Sequence, residues 1–269
     1  MKALRVGSTG AAVRKLQLRL KTLGFNPGKI DGRFGPATEA AVLAFQRSEG
    51  LPADGVVGPR TAAALKLGVT IEYRPVIPHV TVEVVSRMFP ATPLDNIKRH
   101  LPPVLTALSE TELTGKKMVL AALSTIRAET AGFVPVSESQ SRFNTSPGGH
   151  PFDLYDHRKD LGNQGPPDGE RYRGRGFVQL TGRYNYAKFG AAVGLGDELL
   201  SNPELANEPE IAARLLAAFL KAREIPLEQA LLEGDLRAAR RLVNGATHGL
   251  EQFVAAYRIG DSLLPDELS

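Results

Sequence analysis

Residues 161–186 read LGNQGPPDGERYRGRGFVQLTGRYNY, and they decide how the rest of the chain is read. Gly174 and Gly176 allow close approach of other backbone. Phe177 to Leu180 are expected to be extended. Gln179, Thr181 and Asn185 then offer neutral hydrogen-bonding groups, which suit sugar hydroxyls and acetamides. The rival reading is an arginine- and glycine-rich nucleic-acid loop. Such a loop wants many unpaired basic groups and stacking aromatics. Here side-chain amides and a tight turn dominate.

Upstream, Val119, Leu120, Leu123 and Ile126 recur at helical spacing, which predicts a helix over 116–130 ended by Gly132 and Pro135. Glu129 lies at the edge of that apolar stripe, near the helix end. A carboxyl there is partly desolvated and faces the negative helix pole, and both effects raise its pKa. The dipole supplies at most about 1 kcal/mol, so burial must do most of the tuning. A carboxyl still protonated near neutral pH is what a general acid requires. A capping or surface glutamate is the alternative. Glu138 follows nine residues on, past the helix stop. Two carboxylates on opposite walls of a cleft are the equipment of glycoside hydrolysis.

Downstream, helices are expected over 209–223, from Leu236 after an Asp235 N-cap to Asn244-Gly245, and after Gly249. The stretch 132–172 lacks periodicity and reads as a long loop, of a kind that is either functional or disordered. His150, Asp153, Asp156 and His157 crowd into eight residues there, but their spacing fits no strong zinc motif, and no metal is expected. Tyr155, Tyr172 and Tyr184 could stack on sugar rings or serve packing.

The 269 residues carry 33 Lys and Arg against 29 Asp and Glu, and their distribution is uneven. Residues 1–68 hold 11 basic and 4 acidic side chains, a net of +7, and the remainder is net −3. The basic quarter fits either an anionic polymer or a solvated basic face. Zero cysteines exclude disulfides, thiolate nucleophiles and cysteine-ligated metals. No apolar run approaches the roughly 18 residues of a membrane span. No apolar segment follows Lys2, so no cleavable signal peptide is expected.

The basic quarter contains a repeat. Asp31-Gly32-Arg33-Phe34-Gly35-Pro36-Ala37-Thr38 returns as Asp54-Gly55-Val56-Val57-Gly58-Pro59-Arg60-Thr61, the shared pattern being D-G-x-x-G-P-x-T. It predicts a turn feeding a helix whose first residue is proline. A helix bearing Val13, Leu16 and Leu20 precedes the first copy, which makes three helices in a small core.

This segment, roughly residues 4–67, resembles the three-helix peptidoglycan-binding domain of bacterial and phage wall hydrolases. The run 161–186 resembles the signature of glycoside hydrolase family 19, nearest its phage endolysin branch. Arg127-Ala128-Glu129-Thr130-Ala131-Gly132-Phe133, Ser137-Glu138-Ser139 and the Asn244-Gly245 loop are similar to other segments of that family. The resemblance implies a mainly α chain: a wall-binding domain (1–68), a linker (69–80) and a larger helical, lysozyme-like domain with long loops (81–269). It implies Glu129 as the acid, Glu138 as the base or cation stabiliser, and Thr181 as a holder of the attacking water. Gln179, Asn185, Tyr172, Arg175 and Asn244 would bind the sugars. The family inverts, so the two carboxyls are expected about 6.5–9.5 Å apart. Three departures stand out. Ala128 replaces a frequent His, Ala246 replaces a second Gly, and Gln252-Phe253 replace a frequent Arg.

The expected activity is hydrolysis of β-1,4 bonds in bacterial peptidoglycan, as a muramidase before a chitinase. A wall-binding protein with a decayed catalytic domain is the alternative of another class. No cofactor, no nucleic-acid partner and no membrane insertion are expected, and the protein is expected to be a monomer. Synthesis in the cytoplasm with release through a holin-type pore or another export route is implied.

Overall fold

The computed structural model describes residues 3–68 and 75–265. It forms two compact units. The first comprises the N-terminal residues to Pro75 together with Ile225–Ala239, and the second comprises Val76–Glu224 and Arg240–Pro265.

The first unit contains α1 (Ala11–Thr22), α2 (Pro36–Ser48) and α3 (Pro59–Ala64). Leu16, Leu20, Val42, Phe45 and Leu65 form the centre of its core. The repeat is explained by two buried glutamines. Gln17 on α1 donates through Nε2 to Asp31 Oδ1 (3.2 Å), the Arg33 carbonyl (3.0 Å) and Thr38 Oγ1 (3.1 Å), and its Oε1 accepts from the Gly32 N–H (2.9 Å). Gln46 on α2 repeats the pattern with Asp54 (2.6 Å), the Val56 carbonyl (2.9 Å), Thr61 (3.2 Å) and the Gly55 N–H (2.9 Å). Each Asp in turn accepts from the backbone two residues on, at Arg33 and Val56. Each Asp-Gly turn is therefore tied by one amide to the helix before it, while Pro36 and Pro59 open the helix after it. The glycines are required, since Gly32 and Gly55 have φ of 73° and 71°.

Of the expected linker, residues 69–74 lie outside the described residues. In the rest, Val76 donates to the Thr114 carbonyl, Ile77–His79 form a 3-10 turn, and Val76 and Val80 are buried.

The second unit is helical. It runs through α4 (Val82–Met88), α5 (Leu94–Glu110), α6 (Lys116–Thr130), β1 (Val136–Ser137), α7 (Asp153–Asp156), α8 (Asp168–Arg171), β2 (Arg175–Gly176), α9 (Arg183–Ala192), α10 (Glu198–Ser201) and α11 (Pro209–Lys221). The chain continues through α12 (Glu224–Leu232) and α13 (Leu236–Asn244), and α14 (Leu250–Leu263) completes the unit. Asp235 caps α13, its carboxylate accepting from the Ala238 N–H at 2.8 Å.

Helix α6 is buried on every side from Met118 to Ile126, so it is the central helix of this unit. Its main neighbour is α14, with α11 laid on α5. A glycine makes the α6–α14 approach possible. A Cβ at Gly260 would stand 2.4 Å from Leu120 Cδ2 and 2.9 Å from Met88 Sδ.

The long loop after α6 is punctuated by short turns of helix and by the β1–β2 pair, in which Val136 faces Gly176 and Ser137 faces Arg175. One expectation is corrected here. Phe177–Gln179 form a tight turn rather than an extended segment, Arg175 bridges Leu180, and Gln179 has φ 51°. The β1–β2 pair and this turn bring residues 136–138 against residues 174–181.

Candidate active site

Glu129, Glu138, Gln179, Thr181, Asn185 and Asn244 line one groove of about 630 Å³ in the second unit. Glu129 arrives from the last turn of α6 and Glu138 from the residue after β1. The 177–180 turn and the residue after it supply Val178, Gln179, Leu180 and Thr181 to the lining.

The two carboxylates are held differently. Glu129 Oε1 accepts from Arg240 Nη2 at 2.8 Å and from Asn244 Nδ2 at 2.9 Å. Both bonds fall on the same oxygen, and no protein donor among the described residues reaches Oε2. Arg240 is fully buried, its Nε–H donates to the His248 carbonyl at 2.8 Å, and its Nη1 has no partner among the described residues. Gly249 stands close by because a Cβ there would meet Ala128 Cβ at 3.1 Å and Arg240 Nη2 at 3.3 Å. Sequence reasoning weighed burial and the helix dipole at Glu129 and missed this cation. The signal was present: Arg240 and Asn244 are four residues apart on α13 and share a face.

Glu138 is held by neutral donors. Its Oε1 accepts from Asn144 Nδ2 and from the Tyr155 hydroxyl, each at 3.0 Å, and its Oε2 accepts from the Gly174 N–H at 3.2 Å. The Glu138 N–H donates back to the Gly174 carbonyl at 2.7 Å. Gly174 is needed for this approach, since a Cβ there would lie 2.8 Å from Gln179 Oε1 and 3.2 Å from both Glu138 Oε2 and Thr181 Oγ1. Burial first, then the Glu138 charge and hydrogen bond, push the Tyr155 hydroxyl up to about 12. Tyr155 therefore keeps its proton and remains a donor to Glu138. Its hydroxyl is spent on the carboxylate, while the residue also lines the groove.

The amides and hydroxyl of the turn are partly engaged. Gln179 Nε2 donates to the Val136 and Gly176 carbonyls, Asn185 Nδ2 donates to the Thr181 carbonyl, and Thr181 Oγ1 donates to the Gln179 carbonyl. The Thr181 oxygen keeps its lone pairs for an incoming donor.

Tyr172 and Arg175 are not among the groove residues. Tyr172 is 2% exposed, with Tyr186 at 5.4 Å, the Arg183 guanidinium 4.8 Å over its ring, and its hydroxyl donating to the Leu200 carbonyl. Arg175 is also 2% exposed, paired with Glu204 and donating to the Tyr186 hydroxyl at 3.0 Å. Both brace the loop from beneath. The His150 cluster is likewise spent on structure. His150 Nε2 meets Asp156 Oδ2 at 3.0 Å, Asp156 Oδ1 accepts from the Gly169 N–H, and Asp153 binds Ser146. Among the described residues no three such side chains converge as metal ligands.

Residues 9–65 match the family model of the peptidoglycan binding domain, and residues 109–223 match that of class I chitinase. The chain joins a peptidoglycan-binding domain to a glycoside hydrolase family 19 domain. A bacterial family 19 chitinase superposes with a TM-score of 0.50 at 26% identity, covering 69% of this chain and 95% of that one. The zinc D-Ala-D-Ala carboxypeptidase of Streptomyces albus G is 54% identical over 63 residues, which is 22% of this chain and 24% of that protein. A spore cortex-lytic enzyme of Bacillus cereus is 48% identical over 59 residues, 22% of this chain and 23% of that protein. The chain thus spans about a quarter of the length of these two relatives. Glu129, Glu138, Gln179, Thr181 and Asn185 fall within the matched family 19 region, while Arg240 and Asn244 lie beyond it. Among the described residues no helix is long and apolar enough to cross a membrane.

Proposed function

We propose that the protein is a peptidoglycan hydrolase that cleaves β-1,4 bonds of the glycan strand by an inverting acid/base mechanism, as a muramidase. The observation that carries this reading is the pair of carboxyls on one groove, each anchored by different chemistry. Arg240 and Asn244 occupy Glu129 Oε1, so Oε2 carries the proton to the leaving glycosidic oxygen. As that proton departs, the two donors stabilise the carboxylate left behind. Glu138, fixed by Asn144, Tyr155 and the Gly174 N–H, takes a proton from water while Thr181 Oγ1 accepts the second water hydrogen. Gln179, Asn185 and Asn244 border the sugars. The wall-binding domain holds the enzyme on its polymer and raises local substrate concentration.

The named relatives of that domain carry different activities, so it supports the wall as target and not the bond cut. Likeness to a bacterial chitinase favours a second reading, cleavage of neutral GlcNAc polymers. Mass spectrometry of products from sacculi and from chitin decides. Muropeptides with MurNAc at the new reducing end are expected, and release from chitin alone defeats the muramidase reading. The same proposal includes a monomer in solution, checked by sedimentation, and release from the cytoplasm through a holin-type pore or another export route.

A further inference from the structure

Arg223, two residues past α11, lines the same groove. Its guanidinium lies 3.6 Å from the centroid of the Phe219 ring and 6.0 Å from that of Phe189. Its Nη1 donates to the Phe219 carbonyl at 3.1 Å. Stacking and one hydrogen bond therefore fix the plane of the group. The Nε and Nη2 donors have no protein acceptor among the described residues. That edge is one of the two that grip a carboxylate with parallel bonds.

The contrast with other arginines of this unit is plain. Arg240 meets Glu129, Arg175 meets Glu204 and Arg183 meets Asp168. Among the described residues Arg223 meets no carboxylate. Burial lowers its pKa, and no neighbouring acid offsets that effect. A half-buried cation without a partner costs free energy unless a ligand supplies the opposite charge.

The groove is otherwise furnished for neutral sugars, by Gln179, Thr181, Asn185 and Asn244. A polymer of GlcNAc has nothing for a guanidinium to pair with. A glycan whose sugars carry a lactyl acid or an acidic peptide branch does. We propose that Arg223 is a specificity residue that pairs, through Nε and Nη2, with a carboxylate borne by the glycan. This inference rests on the peptidoglycan reading above and names the feature of the substrate that separates it from chitin.

The test compares the full-length wild type with Arg223→Gln on GlcNAc–MurNAc oligosaccharides bearing free lactyl acids, and on the same oligosaccharides as methyl esters. Glycol chitin serves as a second neutral substrate. A charge-assisted pair is lost in the variant, so KM for the free acid should rise about 10- to 100-fold. Cleavage of the ester should stay within about twofold of wild type, which also reports that the variant is folded. Equal loss on acid and ester, or no loss on the acid, overturns the role of Arg223 and leaves the hydrolase reading intact. A wild type that cleaves glycol chitin and neither oligosaccharide overturns both.

Discussion

Gln46 in the first unit and Arg240 in the second are both buried polar side chains, and they finish differently. The amide of Gln46 is saturated: Nε2 reaches Asp54, Val56 and Thr61, and Oε1 takes the Gly55 N–H. Among the described residues Arg240 is left with an unpartnered Nη1, beside a Glu129 whose Oε2 has no protein donor. A saturated network has nothing further to bind, and its energy goes into one turn geometry. An incomplete one holds donors and acceptors in reserve, at a cost met by packing elsewhere. In this molecule the first kind fixes the two Asp-Gly turns, and the second lies at the groove to which we assign the chemistry.

The sharpest way to break that contrast is Glu129→Gln. The amide still accepts from Arg240 and Asn244, so the fold and its melting temperature should change little. It cannot deliver a proton, so kcat on peptidoglycan should fall about 10²- to 10⁴-fold. Reducing-end release at saturating substrate measures this, and a rate within threefold of wild type moves the acid elsewhere. Next comes the saturated side. Gln46→Leu leaves the Gly55 N–H and the Val56 carbonyl without their partner, which should cost about 2–4 kcal/mol. Thermal unfolding of the full chain should report it in the first unit, with cleavage of soluble oligosaccharides unchanged. Gln17→Leu should act alike, since its bonds are the same. If either variant lost catalysis but not stability, the contrast drawn above would be wrong.

Local chemistry was legible in the residues, and long-range pairing was not. Periodicity and caps marked the helices at 116–130, after Pro209 and after Asp235, because burial of one stripe and the need for a cap act within a few residues. The D-G-x-x-G-P-x-T copies were legible for the same reason. Their glutamines were hidden, since Gln17 precedes Asp31 by 14 residues and Gln46 precedes Asp54 by only 8. Six of the residues singled out for the site line the groove. Tyr172 and Arg175 do not, because an arginine between glycines looks exposed until Glu204, 29 residues away, buries it as an ion pair. The left-handed Gln179 was equally invisible, as only the Arg175–Leu180 bridge makes that turn necessary.

A smaller effect tests whether the second unit is packed as tightly as its central helix implies. Gly260→Ala would push a methyl group toward Leu120 and Met88. Overpacking at a buried helix crossing should cost about 1–3 kcal/mol. Calorimetry of the full chain should show the second unit melting earlier and the first unit unmoved. An unchanged transition would mean that the Leu120 and Met88 side chains yield freely.

A last effect, confined to alkaline pH, separates the two units. Burial, first among the causes in both, pushes Tyr155 and Tyr186 up to about 12, whereas an unfolded tyrosine ionises near 10. Between those values the folded protein holds phenolic protons that the unfolded chain has released. Stability from these groups is therefore complete below pH 10 and is lost as pH rises toward 12. Tyr186→Phe should remove part of that slope, and Tyr155→Phe another part together with one bond to Glu138. No tyrosine occurs among the described residues of the first unit, so its transition should lack this contribution. Melting curves across pH 9–12 should show the second unit weakening more steeply than the first. Parallel decline of both would assign the alkaline loss to general charge repulsion and remove the special role of the two buried phenols.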